Sequence, residues 1–181
     1  MARFEGDEAS RPMSTMSRSS TATVRAVPVA AVAKHTGPLV VHAETIKVTS
    51  EQRIQILDVT AQVAALVQAS GIREGIATIC SLHTTTSLFV NEHQDALLAD
   101  YETFLTGIVD ADMPWKHNNP AHSDCVRLNT AAHLRALVLG RDATIQVSGG
   151  DLVLGQWQRI LLAELDGPQV RTLLLSVLGV G

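Results

Sequence analysis

From residue 143 to the C-terminus the chain offers four short β-type runs in succession: Ala143 to Val147, Asp151 to Leu154, Gln156 to Glu164 and Val170 to Leu178. The breaks between them are tight, with Ser148-Gly149-Gly150 and Asp166-Gly167-Pro168 as turn signals. Strands this close together have no room for crossover helices, which favours a largely antiparallel sheet. Upstream, helical and strand patterns mix. Leu39 to Val48 alternates as a strand, and Asp58 can cap a helix with Val59, Val63, Leu66 and Val67 on one face and Gly71 at its end. Gly75 to Leu82 and Ser87 to Val90 read as short strands. Gln94 to Val109 reads as a second helix with Leu97, Leu98, Tyr101, Leu105 and Ile108 aligned. Asp110 to Asn129 is loop-like, and a third helix, capped by Asn129, carries Ala132, Ala136 and Leu139 before Gly140. The expectation is an α+β fold: a single domain, largely antiparallel sheet with about three helices.

Composition narrows the function. Aromatics are 3% of the 181 residues, so the core must be aliphatic and base-stacking platforms for single-stranded nucleic acid are disfavoured. The net charge is −4, the wrong sign for tracking phosphate backbones, so no nucleic acid is expected as a partner. No run approaches the ~18 consecutive apolar residues of a membrane span, and no membrane partner is expected. Two cysteines, Cys80 and Cys125, make neither a disulfide framework nor a CxxC thiolate site, which fits a reducing cytoplasm. Residues 1–38 are rich in Ser, Thr and Arg without periodicity and read as a disordered tail; a genuine extension and a later start at Met13 or Met16 both fit that composition. With five basic against three acidic side chains in that tail, residues 39–181 carry a net −6.

Five of the seven histidines fall between His83 and His133. Neutral imidazoles converging on one point suit a borderline divalent metal, with an open position left for water or substrate. His83, His93, His117, His122 and His133 are the candidates, with Asp110, Asp112, Asp124 and Glu164 as carboxylates; no HExxH spacing is present. Scattered histidines are more often loop or surface residues. The segment Gly155-Gln156-Trp157-Gln158 reads either as a hairpin strand or as a pocket wall in which Gln156 and Trp157 hold a ligand.

Three stretches carry a family resemblance. They are His83-Thr84-Thr85-Thr86-Ser87 leading to Asn91-Glu92; His117-Asn118, then Asn129 and Ala132-His133-Leu134-Arg135-Ala136-Leu137 ending at Gly140; and Leu154-Gly155-Gln156-Trp157-Gln158 leading to Glu164-Leu165-Asp166-Gly167-Pro168. In this order they resemble the YjbQ family, often labelled secondary thiamine-phosphate synthase, over about Thr45 to Gly179. The resemblance implies a small α+β fold that assembles as a homotrimer around a histidine-rich site for a divalent metal, zinc or magnesium. Its ligands would be His83, His133 and His117, with His122 as the alternative third. Glu164 falls on a family glutamate and would be the catalytic base or water-orienting group. The family label implies joining a pyrimidine pyrophosphate to a thiazole phosphate, a reaction in which Arg127 and Arg135 could hold phosphate oxygens of a small anionic substrate. The sequence departs from the family at Gln169, where many members have arginine. The alternative is a trimeric metal- or ligand-binding protein without catalysis.

Overall fold

The computed structural model describes residues 35–181, so of the expected tail at 1–38 all but the last four residues lie outside the described residues; in those four, His35 Nε2 lies 3.6 Å from Glu74 Oε1. Eight strands and three helices follow in the order β1 (Val40–Thr49), β2 (Gln55–Asp58), α1 (Thr60–Ala69), β3 (Glu74–Ser81), β4 (Thr86–Asn91), α2 (Asp95–Ile108), α3 (Thr130–Leu139), β5 (Asp142–Ser148), β6 (Asp151–Leu152), β7 (Arg159–Glu164) and β8 (Val170–Val180). The strands form two antiparallel sheets. One runs β1-β8-β3-β5-β6, the other β2-β7-β4.

The aliphatic composition decides how the sheets meet. Val48, Ile79, Val147, Leu173 and Leu175 from the larger sheet share one core with Leu88, Ile160 and Leu162 from the smaller, and α1 contributes Val63 and Val67. β7 is buried along its whole length because both its faces are covered. Ile160 and Leu162 face the inter-sheet core, while Ala163 packs with Leu165 against Leu105 of α2 and Ala132 of α3. The result is a sandwich with α2 and α3 laid over the outer face of the small sheet.

β2 was not anticipated, since four residues are too short for an alternation pattern to register. The expected strand from Gln156 begins instead at Arg159. Residues 155–158 form a turn in which the Gln158 side chain accepts from the Gly155 N–H at 2.7 Å. Gly167 is sterically required in the turn before β8. A Cβ there would run into the Gln52 carbonyl oxygen, and would come within 2.8 Å of the Glu164 and Ser50 side chains.

Two connections place the candidate site. The loop at 82–85 carries the chain from β3 in one sheet to β4 in the other, so His83 sits at the seam between them. Gly140, at φ +85°, turns the chain from α3 into β5 beside the end of β3, where the Ser81 N–H donates to the Arg141 carbonyl at 2.8 Å.

Candidate functional site

A cleft of about 690 Å³ opens between the 82–86 segment and α3, lined by His83, Thr84, His133, Leu134, Leu137 and Arg141 among others. His133 projects from the second turn of α3. The segment at 110–129 brings His117 to it: the two rings stack edge to face with centroids 5.1 Å apart and planes at 84°.

Asn118 explains that approach. Its Oδ1 accepts from the Thr130 N–H at 3.1 Å and from the Thr130 hydroxyl at 2.6 Å, so it caps α3 from a distance of twelve residues. Asn129, expected to cap this helix, makes no side-chain cap bond. Its amide donates instead to Asp166 Oδ2 at 2.7 Å. The His-Asn pair is therefore a unit, in which the asparagine docks the loop and the histidine is delivered to α3.

The nitrogens of the three imidazoles are differently engaged. His117 Nδ1 lies 3.3 Å from the Ser123 hydroxyl. His133 bonds the Thr84 backbone; burial lowers its pKa most, the nearby His117 lowers it further, and Asp166 and the Thr84 bond pull the other way. His83 Nε2 accepts from the Thr172 N–H at 2.8 Å. With that lone pair engaged, the neutral ring carries its proton on Nδ1. Burial lowers the His83 pKa, Arg171 lowers it further, and Glu164 opposes them.

This bears on the expected metal. Among the described residues no three His, Cys, Asp or Glu side chains converge closely enough to hold an ion. His117 and His133 fit two positions of a divalent centre, each with a polar partner beside it of the kind that orients metal-ligating imidazoles. His83 does not fit in its present ring orientation, because neither nitrogen offers a free lone pair. His122 is exposed in the next turn, its amide bonded to the Asn119 carbonyl at 2.9 Å.

The remaining expectations change more. Glu164 is fully buried and its carboxylate is saturated. Arg171 donates to both oxygens at 2.6 Å, the Ser50 hydroxyl donates at 3.0 Å and the Asp166 N–H at 2.8 Å. A carboxylate enclosed in this way has no lone pair directed at a substrate, so Glu164 is a structural anion rather than a base facing the cleft. Arg127 is committed to Asp166, with Nε on Oδ2 and Nη2 on the backbone carbonyl, both at 2.6 Å. Arg135 is buried and donates to the Val109 carbonyl at 3.0 Å, closing the end of α2. Neither arginine lines the cleft. Gln156 and Trp157 occupy the exposed turn before β7, with Trp157 51% exposed, and they do not line it either.

The cation that does line the cleft is Arg141, which sequence reading passed over. The available signal was its place directly after the Gly140 helix stop, where a chain reversal puts side chains at an element's end.

Comparison with known proteins agrees with this architecture. Residues 44–180 match the family described as UPF0047 protein YjbQ-like. A UPF0047 protein of Methanothermobacter thermautotrophicus is 37% identical over 139 residues, covering 77% of this chain and 93% of the relative. YugU of Bacillus subtilis, also named a UPF0047 protein, is 33% identical over 136 residues, covering 75% and 98%. Among solved structures, a protein of unknown function from Sulfolobus solfataricus superposes with a TM-score of 0.73 at 35% identity, covering 78% of this chain and 99% of that one. A YjbQ/UPF0047 protein from Clostridium acetobutylicum gives 0.67 at 26%, covering 74% and 98%. These matches lead to one assignment: the chain belongs to the YjbQ-like UPF0047 family.

Proposed function

We propose that this protein is a metal-dependent enzyme acting on a small phosphorylated substrate in the cleft between the 82–86 segment and α3, with His117 and His133 as the protein's ligands to a divalent cation. The reading is supported chiefly by the 5.1 Å packing of these two imidazoles, each with a polar partner beside it. Imidazole donors favour zinc over magnesium. A cation bound there would supply charge neutralisation to a phosphate or pyrophosphate leaving group. His83, with its proton on Nδ1, acts as a hydrogen-bond donor to the substrate. The reaction implied by the resemblance, a pyrimidine pyrophosphate joined to a thiazole phosphate, is the first candidate to assay, and a homotrimer is the expected assembly.

The test is elemental analysis of protein purified without an affinity tag. His117→Ala and His133→Ala are expected to lose the bound metal, whereas His83→Ala retains most of it while losing turnover. Metal content unchanged by the first two substitutions would sink the centre. One observation favours a second reading, a ligand-binding protein without catalysis: among the described residues no carboxylate lines the cleft, and Glu164 is enclosed elsewhere. Metal-loaded protein that binds phosphorylated compounds and turns none of them over would establish that reading instead.

A further inference from the structure

The arginines of the described residues divide sharply. Arg53 and Arg127 face Asp166, Arg171 is locked to Glu164, and Arg135 and Arg159 donate to backbone carbonyls. Arg73 lies close enough to Glu74 to lower that carboxyl's pKa. Arg141 is different. It is exposed on the cleft wall, and neither an ion pair nor a side-chain hydrogen bond holds its guanidinium among the described residues. Among the described residues no Asp or Glu lines the cleft with it, although the protein as a whole is acidic. The other titratable groups lining the cleft, again among the described residues, are His83 and His133.

Ser81, Thr84 and Thr86 bring hydroxyl groups to the wall, and the rest of it is apolar. Leu82 and Leu137 are 55% and 78% exposed, and Leu134 and Ala136 lie between the histidines and the Gly140 turn. A concave surface of this volume, largely apolar and with one unpartnered cation among the described residues, suits a small ligand with two parts.

We infer that Arg141 is the anion anchor of this cleft and that its ligand is an amphipathic small molecule, an apolar or aromatic body carrying a phosphate or carboxylate. The anion pairs with the Arg141 guanidinium, which can engage two oxygens at once, and the body lies along Leu82, Leu134 and Leu137. Free inorganic phosphate lacks the second part and binds weakly. The inference rests on reading this cleft as the ligand site, and it stands apart from the metal.

NMR-detected titrations with phenyl phosphate, inorganic phosphate and phenol, all in the presence of a chelator, test it on the full chain. Phenyl phosphate is expected to bind at least about tenfold more tightly than either of the others. Arg141→Ala loses about ten- to hundredfold of that affinity and Arg141→Lys recovers part of it. Leu137→Asp weakens phenyl phosphate and leaves inorganic phosphate unchanged. Arg73→Ala, which removes an exposed cation at the opposite end of β3, has no effect. Equal binding to native and Arg141→Ala protein, or phenol binding as well as phenyl phosphate, would overturn the assignment. Binding that appears only when zinc is added back would also overturn it, while supporting the metal centre.

Discussion

Glu164 and Arg171 face each other inside the sandwich because β7 and β8 are joined by a short turn, and because the pleat directs both side chains inward. A buried pair of this kind contributes little net stability as a pair, but removing one member strands the other. Glu164→Gln is expected to cost about 3–5 kcal/mol, read as a fall of about 10 °C in melting temperature. Adding Arg171→Met should recover much of it. Loss of turnover by Glu164→Gln at an unchanged melting temperature would restore it as a catalytic group. The two cleft histidines carry a separate prediction. Burial lowers both pKa values below the unfolded value of about 6.5, so below that pH the unfolded chain takes up protons that the native state resists. Native stability should therefore decline as pH falls from about 6.5 toward the lowered folded values. The denaturation midpoint of the His83→Gln, His133→Gln double variant should be flatter over that window. Asp166 contributes only at lower pH: burial raises its pKa, but hydrogen bonds from Arg127 and Asn129 outweigh that and hold it below the usual carboxylate value.

At the scale of elements, α3 starts correctly because a loop folds back to cap it. A helix leaves its first N–H groups without internal partners, and here Asn118 supplies one from outside the helix. Asn118→Ala is expected to cost about 0.5–2 kcal/mol, and also to release His117 from His133. A metal titration of this variant should show weakened affinity with both histidines still present. Asn118→Asp should keep the cap, since a carboxylate at a helix N-terminus is favourable. An unaltered metal affinity in Asn118→Ala would mean that something other than this cap positions His117. The rest of the 110–129 segment is tied down in the same manner, with the Trp115 indole donating to the Asp110 carbonyl at 2.8 Å and Asn119 accepting from the Ala121 N–H at 2.9 Å.

At the scale of the whole fold, the described residues cover the inner faces of both sheets and the outer face of only the smaller one. The outer side of the larger sheet leaves Val41 64%, Val170 57% and Ile76 43% exposed. Apolar side chains spread over one face are what an association between copies would cover. Light scattering should give a mass near three times 19.4 kDa, and a mass of a single chain in dilute neutral buffer would refute the trimer. Among the described residues no helix is long and apolar enough to cross a membrane.

Period and punctuation were legible before any coordinates. The three helices and the positions of the strands after residue 142 follow from side-chain spacing and from Gly and Pro at the turns, which act within a few residues. Which strands pair does not: of the last four only β5 and β6 pair with each other, while β7 and β8 lie in different sheets and take partners far along the chain. The histidines stood out as a group because they are clustered in the chain. Their roles were decided by tertiary structure. Whether Arg127, Arg135, Arg141 or Arg171 meets a ligand depends on which carboxylate or carbonyl lies opposite, and those partners are up to 39 residues away, as with Arg127 and Asp166. His83 is occupied by an N–H at Thr172, 89 positions along the chain, and α3 is capped from Asn118 rather than from its own flank. Local propensity is a property of neighbouring residues. The assignment of a charge to structure or to a site is settled only when folding removes it from water and offers it a particular partner.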